Sequence, residues 1–267
     1  MASSLVQQKF GAAAADYAAS AVHAKGESLA RLVELVAPRS DWRVLDIATG
    51  AGHTALAFAP HVASVIASDI TDEMLVETAK LAAKRDLTNV ETAYTDATKL
   101  PFPGDGFDLV TCRLAAHHFP DPASFVSESW RVLKPGGVFA LVDNISPDAS
   151  MLGGVTREEA DKTVADYNAY EKLRDPSHSY CLSIPEWSAL LQKTGFVDMR
   201  AERMDQDIVF KPWTERMRCD PATVARLKSM LDVPRLKSYL RPRMIGEDFV
   251  FTLQEAIIVA RKRGEAR

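Results

Sequence analysis

Three aspartates, two glycines and a pair of histidines carry the chemistry that can be read from this chain. Asp46 is a lone carboxylate inside the apolar run of Val44, Leu45 and Ile47. Gly50 and Gly52 follow it, and then an apolar stretch over residues 53–59 that could open a helix. Asp69 closes a second apolar run, Asp96 follows a third, and His117-His118 follow a fourth. Glycine lets a backbone turn sharply and meet a ligand with no Cβ in the way. Free N–H groups at a helix start then face that ligand. A strand, a glycine turn and a helix N-terminus together read as a nucleotide-binding unit of an α/β protein.

The turn alone leaves the ligand open. Residues 50–55 also satisfy the dinucleotide pattern G-x-G-x-x-A, so an NAD-dependent oxidoreductase is one alternative. Asp46 argues against it, because a pyrophosphate would meet a carboxylate in weakly screened apolar surroundings. S-adenosylmethionine has no phosphate, and its sulfonium and ammonium suit an acid. Asp69 lies 17 positions beyond Gly52. That is near the spacing of about 20 for an acid that takes ribose hydroxyls. Its plainer role is to cap the next helix with Thr71 and Asp72. Asp96 could accept the adenine amino group with Ala97 bordering the ring; otherwise it is a turn aspartate. His117 and His118 are the best general-base candidates, since an unperturbed imidazole titrates near 6.5. The plainer reading packs them on Phe119 or caps a helix near Asp121.

These groups need elements that bring strand ends to one edge. Apolar periodicity places strands at residues 44–47, 62–68, 90–94, 107–113, 138–142, 197–204 and 249–260. Helices are expected between them. Thr71 is a plausible N-cap for a helix with Met74, Leu75, Thr78, Leu81 and Ala82 on one face. Residues 134–137 (KPGG) read as a tight turn. Residues 1–38 read as two helices forming an N-terminal cap, with Tyr17 and His23 along it. Residues 146–183 and 205–245 are polar and helical, and read as insertions above the ligand crevice.

Bulk properties narrow the class. The chain has 267 residues, 47% hydrophobic and 25% charged, which suits one globular domain over residues 1–267. A net charge of −4 gives no footprint for nucleic acid. No apolar run reaches the roughly 18 residues of a membrane span, and the first residues lack the basic and apolar pattern of a signal peptide. Three scattered cysteines form no disulfide framework, so a reducing cytoplasm is the expected compartment. Neither histidine has spaced Asp, Glu or Cys partners, so no metal is expected.

Four segments carry a family resemblance: VLDIATGAG, Asp69 after IAS, Asp96 before LPFPGDGFDLV, and RVLKPGG. The chain resembles class I S-adenosylmethionine (SAM)-dependent methyltransferases. It is similar to the type 11, ubiquinone/menaquinone-biosynthesis and malonyl-carrier-protein branch, which its AAHHF segment also fits. The resemblance implies an α/β, Rossmann-like seven-stranded sheet with an antiparallel last strand, a SAM-binding half over residues 40–145, and an EC 2.1.1 activity. It departs where Ala48 stands at the family's first glycine, which is tolerable if that residue has a negative φ.

By position, the resemblance puts Asp46 beneath the methionine amino group, directly or through water, and Gly50 and Gly52 against the methionine portion. Asp69 with Ile70 would hold the ribose, Asp96 and Ala97 the adenine, and Arg113 the methionyl end. It implies no shared catalytic base. Acceptor contacts are expected from Tyr17, His23, Asn144, Tyr170 and Arg174, with Tyr167, Glu171, His178 and Tyr180 nearby and Arg241 and Arg243 as anion-binding candidates. The acceptor reads as a small molecule, the protein as a monomer or homodimer, and O-, N-, S- and C-methylation stay open. A SAM-fold binding protein without transfer activity is the remaining alternative.

Overall fold

The structure is a computed structural model that describes residues 5–11, 14 and 26–264. Tyr17 and His23 lie outside the described residues. Along the chain run α1 (Leu5–Gly11), α2 (Glu27–Val36), β1 (Arg43–Ile47), α3 (His53–Phe58), β2 (Ser64–Asp69), α4 (Asp72–Lys84), β3 (Val90–Tyr94) and β4 (Phe107–Arg113). There follow α5 (Pro122–Val132), β5 (Leu133–Asn144), α6 (Arg157–Arg174), α7 (Ile184–Thr194) and β6 (Phe196–Val209). The chain closes with α8 (Phe210–Arg216), α9 (Pro221–Met230), α10 (Pro234–Leu240), β7 (Arg243–Ile245) and β8 (Asp248–Lys262). No described helix is long and apolar enough to cross a membrane.

The sheet runs β3-β2-β1-β4-β5-β8-β6. The first five strands are parallel, and β8 is antiparallel to both β5 and β6. Parallel strands need crossovers, and right-handed helical ones cover both faces. Alternation along the strands then builds two cores. Leu45, Ile47, Val110 and Phe139 meet Phe125 and Trp187 on one face. Val44, Val65 and Leu109 meet Leu32 and Phe58 on the other.

Local signals explain the helix ends. Asp121 caps α5 by accepting from the Ala123 and Ser124 amides. Thr156 with Glu159 and Ser183 with Glu186 form capping boxes on α6 and α7. Gly195, at φ 106°, closes α7. Thr71 occupies the N-cap position of α4, but its side chain makes no capping bond.

The observed fold departs from the expected elements in three places, the first being that β6 runs on through Val209 where residues 205–209 were expected in a helical insertion. KPGG does not end one element and start another: it is a bulge inside β5, where Phe107 pairs with Leu133 and Leu109 with Val138. The sheet also has eight strands, because β7 adds a short hairpin to β8 that the sequence reading took as helical insertion.

The segment after β5 and the one after β6 pack on each other. Tyr167 and Tyr170 of α6, Trp213 of α8, Leu227 of α9, Tyr239 of α10 and Phe251 of β8 form a third, separate core. This cluster fixes α6 beside the carboxyl ends of β4 and β5.

Candidate functional site

A cavity of about 570 Å³ lies at the carboxyl edge of the sheet. Its walls come from the turn after β1 (Ala48, Thr49, Gly50), the end of β2 (Asp69, Ile70), the loop after β3 (Asp96, Ala97) and the end of β4 (Arg113, Leu114). This is the crevice where open α/β sheets hold ligands. Phe10 of α1 also lines it, and Gln7 ties that helix down by donating to the Ile70 carbonyl at 2.8 Å.

The turn after β1 is built by two acids. Alternation puts Asp46 on the same face as Val44, toward α3. Its Oδ2 accepts from Thr49 Oγ1 at 2.5 Å and from the Ala55 amide at 3.1 Å, and its Oδ1 accepts from Thr111 Oγ1 at 2.6 Å. Gly52, the N-cap of α3, has no side chain to cap with, so Asp46 satisfies that helix start from the strand. Burial pushes the Asp46 carboxyl up to about 6, against the three hydrogen bonds. Asp46 therefore lies behind the turn and is not among the residues that line the cavity.

Asp69 does line it. Its Oδ2 accepts from the Gly50 amide and its Oδ1 from the Thr71 amide, both at 2.9 Å. Two backbone donors fix the carboxylate and leave lone pairs on both oxygens. Burial raises its pKa, and the two amides oppose that. Gly50 is at φ 56° and open to the cavity. Gly52, at φ 85°, faces away from it: a Cβ there would sit 2.6 Å from Thr78 Cγ2. The missing Cβ lets the turn lie against Thr78 of α4. The amides of Gly50 and Ala55 are spent on carboxylates, and that of Gly52 on the Thr49 carbonyl. A pyrophosphate would need those donors.

Ala48 also differs from expectation. Its φ is 52°, in the left-handed region, so the negative angle that would make the methyl harmless is not what the turn adopts. Asp96 lines the cavity and is exposed; its Oδ1 accepts from the amide and hydroxyl of Thr98. Burial lowers the Arg113 pKa, with Glu255 and Asp46 opposing it.

A second, smaller cavity of about 90 Å³ adjoins the first. Phe10, Leu114, His118 and His178 belong to the walls of both. Asn144, His117, Glu171, Arg174 and Glu255 line the small one alone. Three imidazoles gather here, the His117 ring 4.2 Å from that of His118 and 5.6 Å from that of His178. Each has one nitrogen fixed as a donor. His117 Nδ1 donates to Asp143 Oδ1 at 2.6 Å, while the His117 amide donates to Oδ2 at 2.8 Å. His118 Nδ1 donates to the Ser177 carbonyl at 3.2 Å. His178 Nε2 donates to Asn168 Oδ1 at 2.9 Å. Asn168 is oriented by accepting from the Cys181 amide and donating to the Val164 carbonyl.

The three rings differ electrostatically. Burial pulls His117 down, but the adjacent Asp143 outweighs it and the pKa is raised. His118 is lowered to about 3, by burial first and then by its histidine neighbours. His178 is likewise lowered to about 3, mainly by burial. The Glu171 carboxyl is pushed up to about 7 by burial, against the pull of Arg174 and His117.

The structure brings Asn144, Arg174 and both His117 and His118 to the wall of the smaller cavity. It does not bring Tyr170 in: that ring stacks on Trp213 at 5.4 Å, inside the third core. Arg241 and Arg243 also lie elsewhere, paired with Asp205 and Asp207 of β6. Glu255 was missed. It is a lone acid inside the apolar run of β8, the same signal that picked out Asp46.

Residues 45–141 match the family described as a methyltransferase domain. The uncharacterized methyltransferase YcgJ of Bacillus subtilis is 39% identical over 195 residues, 73% of this chain and 73% of that protein. A demethylmenaquinone methyltransferase of Deinococcus radiodurans is 36% identical over 118 residues, 43% of this chain and 48% of its own length. The crystal structure of YcgJ superposes with a TM-score of 0.79 at 32% identity, covering 88% of this chain and 98% of that one.

Proposed function

The chain belongs to the methyltransferase family of these relatives, and we propose that it moves the methyl group of SAM to a small-molecule acceptor held in the smaller cavity. The carrying observation is the pairing of chambers: a large one at the strand ends, around Asp69 and Gly50, shares Phe10, Leu114, His118 and His178 as a wall with a small one. Free cysteines at 112, 181 and 219 suit a reducing cytoplasm.

Asp69 takes the two ribose hydroxyls with the lone pairs left free by the Gly50 and Thr71 amides. Asp96 and Ala97 border the adenine, and Ala48, Gly50, Ile70 and Arg113 border the rest of the nucleoside and the methionyl end. Asp46 and Gly52 act one step back: they hold the turn, one by capping α3 and the other by yielding space to Thr78.

The bound cofactor supplies a methyl group on a sulfonium, an electrophile that needs no further activation. The protein's task is alignment and exclusion of water. His117 is the better base of the pair. Asp143 fixes its Nδ1 as the donor, leaves Nε2 to take a proton from the acceptor, and stabilises the imidazolium that results. His118, held near 3, stays neutral and offers Nε2 as a hydrogen-bond acceptor at the junction of the chambers.

Calorimetric titration with S-adenosylhomocysteine (SAH) and with NAD tests the cofactor half. The expected result is SAH binding without NAD binding, and the reverse would overturn the reading. Radiolabelled transfer from SAM into a metabolite extract tests the transfer half. A folded, SAH-binding protein that labels nothing would favour a binding protein instead.

A further inference from the structure

Three residues that line the smaller cavity each carry a buried acceptor atom without a partner among the described residues: Glu171 Oε1, Glu255 Oε2 and His178 Nδ1. Their residues are 5%, 6% and 2% exposed. An unsatisfied buried polar atom costs about 1–3 kcal/mol, and a buried carboxylate more. No cation lies within salt-bridge distance of either glutamate among the described residues. Arg174, on the same wall, spends its Nε on the Trp213 carbonyl at 3.1 Å and lies 4.6 Å over that indole ring. The His178 lone pair has no rotational freedom to find a partner, because Nε2 is tied to Asn168.

Arg174 and Arg216 also line this cavity, but the three orphaned atoms still lack donors. A neutral alcohol brings only one donor, and an anion brings none for these acceptors. The described residues hold no group of three His, Cys, Asp or Glu placed for a metal ion. A compact ammonium brings two or three N–H donors and a charge into about 90 Å³. Resting on the methyl-transfer reading above, we propose that the acceptor is a small primary or secondary amine, docked as its ammonium against Glu171, Glu255 and His178.

The reaction balances with the groups that line the cavity. One ammonium N–H bond breaks and its proton passes to His117 Nε2. The freed nitrogen lone pair forms the N–CH₃ bond as the S–CH₃ bond breaks, and that bond's electron pair goes to sulfur. The products are a methylated ammonium and SAH, and His117 then releases its proton to water. A raised Glu171 carboxyl fits a site that ionises fully only when a cation arrives.

The test is calorimetry on the SAH-loaded full chain. The probes are methylamine, n-propylamine, ethanolamine and putrescine, each against the alcohol and the carboxylate of equal length. At least one amine should bind about tenfold more tightly than both its isosteres, and Glu171→Gln and Glu255→Gln should each remove about that factor. SAH affinity should not change in the Glu171 variant, because Glu171 does not line the larger cavity. Thermal melts of both variants check folding, and the Glu255 variant stands in if the Glu171 variant unfolds. No amine preference, or a preference that survives both substitutions, overturns the amine assignment while leaving methyl transfer intact. Failure of the wild-type chain to bind SAH would instead strike the underlying reading.

Discussion

Gly52→Ala is the sharpest test of how the turn is built. The glycine sits at φ 85°, where an L-residue is strained by about 1–2 kcal/mol. The new methyl would lie 2.6 Å from Thr78 Cγ2 and 2.8 Å from Thr78 Oγ1, inside any real contact. Thr78 is fully buried and cannot swing to solvent. Overpacking of this kind costs about 1–3 kcal/mol, so the expected destabilisation is about 2–5 kcal/mol, a large part of a domain's total. The damage should reach the ligand. Thr78 Oγ1 donates to the Gly50 carbonyl at 2.9 Å, and the Gly50 amide positions Asp69. Urea unfolding reads the first effect, and SAH calorimetry in the folded protein reads the second. Adding Thr78→Ala removes the two shortest contacts, so the double variant should be less destabilised than the sum of the singles. A loss under about 1 kcal/mol with unchanged SAH affinity, or strict additivity with Thr78→Ala, would refute the reasoning.

Ala48→Gly should raise stability by about 0.5–1 kcal/mol at unchanged SAH affinity, since φ 52° favours glycine; urea midpoints check it. Asp69→Ala should weaken SAH binding by about 1–3 kcal/mol, read by calorimetry, because it strands the ribose hydroxyls and the Gly50 and Thr71 amides. Asp143→Asn should shift the acid limb of the kcat profile. His117 acts as a base only when neutral, and Asp143 holds its pKa above the ordinary 6.5. Activity therefore rises with pH through that raised value. Removing the charge leaves burial in control, so the limb should move to lower pH while kcat falls; an unmoved limb would take His117 out of the base role.

Much of the site's frame was legible from the chain. Period-two apolar runs ended by Asp69, Asp96 and Arg113 mark strand ends, and strand ends of a parallel sheet share one edge. The direction of Asp46 was not legible. Alternation fixes which face it takes, but its commitment to Thr49, Thr111 and the Ala55 amide depends on where α3 packs. The sign of φ at Ala48 was equally hidden, being set by the turn around it. Tyr170 looked like a pocket residue by composition, yet aromatic packing with Trp213 and Phe251 drew it into the third core. Glu255 and Glu171 lie 84 positions apart in sequence, and only the pairing of β8 with β5 and the docking of α6 bring them to one chamber.

His118 and His178 form a common partition between the two chambers. A shared wall makes the steady-state order of events a structural matter. Both guests must be seated at once for a methyl group to cross, so initial-velocity plots should intersect instead of running parallel. Any change to that partition should alter both Michaelis constants together.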